Sequence, residues 1–460
     1  MTLVRRIAEY AVGLEYDLIP EEALQLAKWV MFDTLGTGLG GYQRELGQKA
    51  SRFGQLQMPG NQSTLLGSGE RSSMEGAAFA NGVMVKILGM DDSHRFGGHI
   101  ASQVIPAVLA TSEVYQTSGR EILVAIIAAY DVAIRIANQV RVTQRVRGLD
   151  LKGTVGTLAA AVAAARCAGR DVETMAQALA LAADMASGTE QYVYEGGKCE
   201  TKDLIAGFGA RNGVFALKLA LSGFYGPQGA LDGEYGFFRA FGSGEYDASV
   251  FDDLGENFLI MSTAFKPHGG CRHTHQAIDA ARQIRQQHAF DAAEIERIHI
   301  ATYSDAMQPV FRVNPDPKSR DVAGLSILVS TALALTFGQV YPEDFANWDD
   351  PEVRRLRHIT EVTIDPTIEA NYPSMNGCQL EVTLHSGAVY KVFLPNMKGE
   401  PEFRMTEDEL VEKFNVLTHT LFDEKRAASI LEYCNRLESV DTIHALLSAC
   451  SSRHFTAMMI

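Results

Sequence analysis

The sequence predicts a large all-α helical domain together with a smaller α+β domain. The chain has 460 residues, of which 46% are hydrophobic, and this length and composition leave room for two hydrophobic cores. Through most of the first 265 residues, apolar side chains recur at three- and four-residue spacing, the period of an amphipathic helix. After about residue 290, stretches rich in β-formers indicate strands.

The helices of the larger domain are predicted from separate segments with helical spacing of apolar residues. Several of the segments with helical spacing end in glycine, as helix C-termini often do. Before residue 225 they are 21–39, 119–137, 156–169, 172–188 and 210–223, and after Thr406 they are 407–422 and 424–438. Because 159–168 is rich in alanine, we expect these helices to pack closely against one another.

The smaller domain is predicted from strand-like segments in the last third of the chain. These segments are 295–303, 358–366, 378–385 and 388–395, and two helical stretches, 273–288 and 323–340, accompany them. The last two strands are expected to form a hairpin that turns at Ser386 and Gly387. We therefore place the helical domain at 1–265 with 405–460, and the α+β domain at 266–404.

The composition of the chain limits the kinds of binding partner that we expect. The chain has 41 basic and 56 acidic residues, a net charge of −15, which disfavours nonspecific binding to nucleic acid or anionic membranes. Its six cysteines are scattered without a CxxC pair, and no apolar run reaches membrane-spanning length without a charge or helix breaker. We expect a cytoplasmic protein with a small-molecule ligand.

The most informative stretch is 266–275, KPHGGCRHTH. It holds a lysine, an arginine and three of the chain's twelve histidines. Such groups repel one another when crowded, so an anionic ligand or nearby carboxylates must offset the cost. We interpret the stretch as part of a pocket for a carboxylate-bearing small molecule.

A second polar cluster, DDSHRFGGH at 91–99, lies between two helix-like segments. Adjacent carboxylates and imidazoles can push each other's pKa values apart, as general acid and base roles require. The alternative is that Asp91 or Asp92 caps the following turn and His94 is simply exposed. A third cluster is EGGKCETK at 195–202, where a lysine can bind a carboxylate in a closed pocket or be an ordinary surface charge.

A metal site is an alternative use of the three histidines of 266–275. Together with Asp91 or Asp92 they would supply ligands for zinc or iron. The sequence has no HExxH motif and no close His-x-His plus carboxylate signature, so we expect no metal. The glycine runs match no phosphate-binding motif, and Cys271 alone is weak support for a nucleophile.

With these clusters in place, the chain resembles the MmgE/PrpD family of dehydratases, decarboxylases and epimerases. The matching segments follow the family's order over nearly the whole chain: 27–41, 65–94, 128–137, 153–169, 219–238 and 265–281. The resemblance implies a cofactor- and metal-independent enzyme, usually a homodimer, whose active site lies between a large helical domain and a smaller α+β lid domain.

The resemblance also implies site residues. They are Asp91, Asp92, Ser93 and His99 in the acidic loop, Lys202 and Lys266 as motif lysines, and His273 and His275 on the lid side. The chain departs from the family pattern at Gly89, Asp150, Ile205 and Cys271, where an acidic residue or a histidine is often found. These departures leave the substrate open.

Dehydration, decarboxylation and epimerisation beside a carboxylate all need fixed cations and proton-transfer groups. We expect the substrate to be bound by Asp91, Ser93, Lys266, His268 and Arg272, with Lys202 assisting. We expect protons to be moved by His99 and Lys202 with His273 or His275 opposite, and Asp92 to orient His99. The leading hypothesis is a lyase that removes water or CO2 from a multi-carboxylate molecule, in the manner of 2-methylcitrate dehydratase.

Two other hypotheses stay open from the sequence. Two bases facing one carbon, without an acid for a leaving group, would make the chain an epimerase or isomerase of an iminodisuccinate-like carboxylate or of a specialised metabolite. A chain that has lost catalytic groups would only bind its ligand.

Overall fold

The protein is described by a computed structural model that covers residues 1–194, 199–307 and 310–452. It is mostly helical, with a small mixed sheet late in the chain, as the sequence predicts. Residues 195–198 of the third polar cluster and 453–460 of the expected helical domain lie outside the described residues.

Helices account for nearly all regular structure before residue 265. They are α1 (Leu3–Gly13), α2 (Glu21–Tyr42), α3 (Glu45–Gln57), α4 (Met74–Ile87), α5 (Ala101–Tyr115), α6 (Gly119–Arg147), α7 (Val155–Cys167), α8 (Val172–Asp184), α9 (Thr201–Leu221) and α10 (Phe237–Phe241). A short antiparallel pair, β1 (Ser63–Thr64) and β2 (Arg71–Ser72), precedes α4. Side chains of Ser73, Ser118 and Asp171 cap α4, α6 and α8 by accepting hydrogen bonds from main-chain N–H groups.

Helix α9 lies at the centre of this part of the protein. It packs against α4, α5, α7 and α8. The close approach depends on glycine, because a Cβ at Gly213 would lie 2.5 Å from Ala160, and one at Gly207 would lie 2.6 Å from the carbonyl oxygen of Phe79. By length and composition α9 could also cross a membrane, but 56% of its apolar window is buried in the fold, as in a core helix.

The α+β part contains a four-stranded sheet. Its elements are α11 (His275–Gln287), β3 (Ile295–Thr302), α12 (Ser304–Met307), α13 (Arg320–Ala323), α14 (Ile327–Phe337), α15 (Pro351–His358), β4 (Thr360–Ile364), α16 (Pro366–Asn371), β5 (Cys378–Leu384) and β6 (Val389–Leu394). The strand order is β4-β3-β5-β6, with β3 and β4 parallel and the other neighbours antiparallel. Cys378, Leu380 and Val382 alternate with less buried residues, so β5 turns one face to the core under α11.

The four strands predicted from sequence are confirmed, including the hairpin between β5 and β6. Gly387 in its turn has a φ of +84°, a conformation that glycine adopts without strain. The hairpin positions β6 at the edge of the sheet.

The last helices of the chain belong to the helical part. They are α17 (Glu407–Thr418), α18 (Glu424–Asn435) and α19 (His444–Ala449). A capping box between Thr406 and Glu409 starts α17, and Phe414 stacks on Phe32 of α2 with 4.5 Å between ring centroids. One hydrophobic core thus joins residues from both ends of the chain, and another fills the α+β part. The domain boundaries at 265/266 and 404/405 stay a prediction.

Candidate active site

A cavity of about 1550 Å³ is lined by residues of the helical part and of the α+β part. Six of the ten candidate residues line it: Ser93, His99, Lys202, Lys266, Arg272 and His273. Among the described residues, twelve lysines and arginines line the cavity, against seven aspartates and glutamates. The cavity wall is therefore cationic in a chain of net charge −15, and a positive cleft concentrates anions.

His99 follows the tight turn of the acidic loop, in which His94 and Gly98 exchange main-chain hydrogen bonds. Its Nδ1 lies 2.7 Å from the main-chain carbonyl oxygen of Asp92 and 3.3 Å from Oδ2 of Asp91. Burial lowers the pKa of His99 to about 4, although the Asp91 carboxylate acts in the opposite direction. The ring is thus neutral at pH 7, and the carbonyl assigns the proton to Nδ1. Nε2 is left as a proton acceptor.

Asp91 is fully buried beneath His99. Lys86 of α4 donates to both of its carboxylate oxygens, at 2.9 and 3.1 Å. Burial alone would raise the pKa of Asp91, but His99 and Lys86 hold it well below its usual range. The sequence predicted a substrate contact for Asp91, but the structure shows its carboxylate bound to Lys86 and absent from the cavity lining.

The carboxylate of Asp92 has a different environment from that of Asp91. It accepts hydrogen bonds from the N–H of Ala101, at the start of α5, and from the hydroxyl of Tyr130, at 3.0 and 2.7 Å. Burial and the charge of Asp91 raise the pKa of Asp92 to about 7. Its main-chain carbonyl orients His99, whereas the carboxylate stabilises the helix start, which corrects the expectation from sequence.

The two candidate lysines differ in the direction of their pKa shifts and in their hydrogen-bond partners. Lys202, in the first turn of α9, lies 3.6 Å from Asp203, and that carboxylate raises its pKa. It is therefore an ammonium group, suited to donate a proton rather than to accept one. Lys266 is buried and donates to the carbonyls of Gly89 and Gly270, while burial and the charge of Lys86 lower its pKa to about 7.

On the α+β side, His273 faces the cavity and Arg272 lies beside it. Nδ1 of His273 is 2.7 Å from the hydroxyl of Tyr303. Burial and the positive charges of Arg312 and Arg272 hold the pKa of His273 well below its usual range, so this ring is neutral as well. Arg272 donates to the buried carboxylate of Glu400, which positions its guanidinium.

His268 and His275 do not reach the cavity. Nε2 of His268 lies 2.8 Å from Asp279, and its ring packs against that of His275 with 5.3 Å between centroids. His275 opens α11 and is fully buried. The sequence predicted a substrate contact for His268 and proton transfer for His275, but the structure places both rings against each other and outside the cavity lining.

Other cavity residues were not proposed as site residues from the sequence. Lys152 donates to Asp150 at 2.6 Å, and the hydroxyl of Tyr192 donates to the same carboxylate at 3.0 Å. Lys86 was also missed, although a lysine in the otherwise apolar C-terminal half of a helix, five residues before Asp91, was an available signal.

The residues whose positions would suit a metal ion differ from those expected from the sequence. Of the described residues, Asp91, Asp92 and His99 bring their ligand atoms within 4.8 Å of one another, and His268 and His275 are not among them. The ammonium group of Lys86 donates to the carboxylate of Asp91, and the hydroxyl of Tyr130 donates to the carboxylate of Asp92. A cation at this point would have to displace Lys86, so the residues present fit a metal poorly.

Comparison with known proteins agrees with this architecture. The MmgE/PrpD N-terminal domain matches residues 5–249, and the MmgE/PrpD C-terminal domain matches residues 268–439. Cis-aconitate decarboxylase of Homo sapiens is 25% identical over 448 residues, covering 94% of this chain and 91% of the relative. Cis-aconitate decarboxylase-like protein oryM of Aspergillus oryzae is 26% identical over 475 residues, covering 97% and 96%. Cis-aconitate decarboxylase of Aspergillus terreus is 24% identical over 467 residues, covering 96% and 94%. The two matched domains together span most of the sequence, and the chain belongs to the MmgE/PrpD family.

Proposed function

We propose that this chain is a lyase that removes CO2 or water from a small multi-carboxylate substrate, by proton transfer at a carbon next to a carboxylate. The observation that carries the proposal is the pairing, in one cationic cavity, of a neutral imidazole with an ammonium group. His99 offers a bare Nε2, and Lys202 offers a proton. Arg272 supplies fixed positive charge for the carboxylates, and Lys266 adds to it in its protonated form.

For decarboxylation, the bond between the substrate and one carboxylate breaks and CO2 leaves. The electron pair of that bond remains on the substrate, stabilised by the cations, and a carbon takes a proton from Lys202, which recovers it from water. For dehydration, Nε2 of His99 removes a proton from carbon, the C–O bond breaks, and the departing hydroxyl takes a proton from Lys202. The named relatives favour decarboxylation as the first reaction to test.

The test is a substrate panel of cis-aconitate, citrate, 2-methylcitrate and iminodisuccinate, followed by NMR in D2O. Decarboxylation replaces one carboxylate by deuterium, whereas dehydration creates a new double bond without loss of carbon. A chain with both His99→Gln and Lys202→Met is the inactive control. If the protein binds tricarballylate but consumes no multi-carboxylate substrate, it is a ligand-binding protein and the lyase proposal is wrong.

A second candidate is epimerisation. Its specific support is that two neutral imidazoles, His99 from the helical part and His273 from the α+β part, line the same cavity. One ring can remove a proton from a stereocentre, and the other, once it has taken a proton from water, can return that proton to the opposite face. Deuterium incorporation with inversion, and with no loss of water or CO2, would identify this reaction.

We further propose that the α+β part acts as a lid over the cavity, that the protein works in the cytoplasm as a homodimer, and that catalysis needs no organic cofactor or metal. Lys86, which holds the buried Asp91 beneath His99, supports the last point. Elemental analysis together with turnover in the presence of chelators tests it, and light scattering in solution tests the dimer.

A further inference from the structure

Eleven of the twelve cations that line the cavity donate to, or pair with, an oxygen of the protein. Arg141 is the exception. None of the described residues forms an ion pair or a hydrogen bond with its guanidinium. A guanidinium has five N–H donors and stays charged in proteins. A cavity arginine without a protein acceptor is therefore ready to bind an anion from solution.

The position of Arg141 is fixed by an aromatic ring rather than by a carboxylate. Its guanidinium carbon lies 4.7 Å from the centroid of Phe96, at the tip of the turn that ends just before His99. The turn is itself held in place, because Nδ1 of His94 accepts from the N–H groups of Phe96 and Gly97, at 3.0 and 2.8 Å. This cation–π contact holds the guanidinium over the ring and uses none of its N–H donors, which stay available for a carboxylate.

Neighbouring charges do not neutralise Arg141. Arg145, one helical turn further along α6, pairs with Asp305. The same carboxylate accepts a hydrogen bond from the hydroxyl of Tyr372 at 2.7 Å. Asp305 is thus already bound by other donors, and no described carboxylate forms an ion pair with Arg141.

We propose that Arg141 binds a substrate carboxylate remote from the reacting carbon, and that it thereby selects substrates that carry this additional carboxylate. The inference rests on the proposed function and makes it more specific. Lys202, Lys266 and Arg272 serve the carboxylates next to the reacting carbon, and Arg141 serves the distant one. Because the contact persists unchanged through the reaction, it strengthens binding of the ground state and the transition state equally.

The kinetic test compares Arg141→Met with the unaltered enzyme on two substrates. One is the tricarboxylate that the panel identifies, and the other is the same compound with its remote carboxylate converted to an amide. Losing a charge-assisted hydrogen bond should lower kcat/KM for the tricarboxylate by about 10- to 150-fold, through KM, with little change for the amide. Arg141→Lys should recover only part of the loss, since an ammonium cannot form the two-pronged contact.

Arg120→Met is the matched control. Arg120 is in the same helix and also stacks on an aromatic ring, 4.1 Å from the centroid of Tyr16, but it pairs with Asp17 away from the cavity. This variant should keep the preference of the unaltered enzyme. Equal effects of Arg141→Met on both substrates, or no effect on either, would overturn the inference.

Calorimetric binding of tricarballylate, a tricarboxylate without a double bond or hydroxyl, separates this inference from the proposed function. If Arg141→Met binds it about 10- to 150-fold more weakly than the unaltered protein, the subsite stands even when no substrate is turned over. Equal affinities would overturn the subsite even when the lyase reaction is found. Phe96→Leu, which keeps Arg141 but removes the ring, should show an intermediate loss.

Discussion

Nδ1 of His99 lies 2.7 Å from the main-chain carbonyl oxygen of Asp92, and this contact determines which ring nitrogen can act on a substrate. A carbonyl oxygen only accepts hydrogen bonds, so it assigns the proton of the neutral ring to Nδ1. Nε2 then carries the lone pair. The arrangement does not depend on the Asp92 side chain, which bonds elsewhere.

The first prediction concerns His99 itself. In His99→Gln the side chain keeps a polar group but loses the basic nitrogen, so kcat for the substrate identified in the panel should fall by about 100- to 10,000-fold. His419→Gln is the control, because His419 is exposed and, within the part of the chain that the structure describes, bonds only to Val416 in the last turn of α17. Steady-state kinetics with circular dichroism measures the effect. Retention of a third or more of the original kcat would remove His99 from the mechanism.

The second prediction concerns stability and pH at Asp92. Its pKa is raised from 3.8 to about 7 in the folded protein, so its protonated form favours the folded state. This contribution is fully present below pH 3.8 and is lost as pH rises through about 7. In Asp92→Asn the side chain cannot ionise, so the decline in the free energy of unfolding between pH 4.5 and 7.5 should be smaller.

Urea unfolding at several pH values measures the difference between Asp92→Asn and the unaltered protein. Taking the difference cancels the contributions of the other titrating groups. Parallel stability curves would mean that Asp92 titrates at an ordinary pKa.

The third prediction concerns the buried pair of Lys86 and Asp91. Lys86→Met leaves a carboxylate with 0% side-chain exposure without its cation, and breaking such a pair typically costs about 3–5 kcal/mol. Asp91→Asn together with Lys86→Met removes the uncompensated charge, so the double variant should be more stable than Lys86→Met alone. A double-mutant cycle by chemical unfolding measures the coupling. Additive effects of the two substitutions would show that the pair does not interact energetically.

The fourth prediction concerns Gly270, whose carbonyl accepts from Lys266. Gly270 has a φ of +85°, and a Cβ there would lie 2.5 Å from the carbonyl oxygen of Gly324. Gly270→Ala should destabilise the protein by about 1–3 kcal/mol and weaken carboxylate binding, because the turn that anchors Lys266 must shift.

Gly338→Ala is the matched control for Gly270→Ala. Gly338 has nearly the same φ, +84°, but no atom of the described residues lies within 4 Å of an added Cβ. Thermal unfolding of both variants separates backbone strain from the clash with Gly324. Equal destabilisation of the two would show that the clash contributes nothing.

Much of the fold could be predicted from the sequence because its signals are local. Apolar spacing located the main helices, and alternation located the four strands and the hairpin at Gly387. The length of helix α6 was underestimated from the sequence. Its last ten residues, 138–147, are largely polar, so the apolar pattern stops at Ala137 although the helix continues. This extension carries Arg141 to the cavity.

The site was predictable only in part, because which way a side chain faces is not a local property. His99, Lys202 and Lys266 line one cavity as expected from their clusters and from the family resemblance. Asp92 was expected to orient His99 and Asp91 to contact substrate, but the carboxylate near the ring is that of Asp91, since adjacent carboxylates diverge and only the fold determines which one lies near the ring. Lys86 and Arg141 are single cations in helices, a pattern that solvated surface residues share.

The most direct test of the account is a crystal structure with bound tricarballylate. We predict one ligand carbon within about 4 Å of Nε2 of His99, with carboxylates at hydrogen-bond distance, about 3 Å, from Lys202 and Arg141. A ligand bound outside this cavity, or bound in it without approaching His99, would contradict the proposal that His99 and Lys202 move protons on a multi-carboxylate substrate.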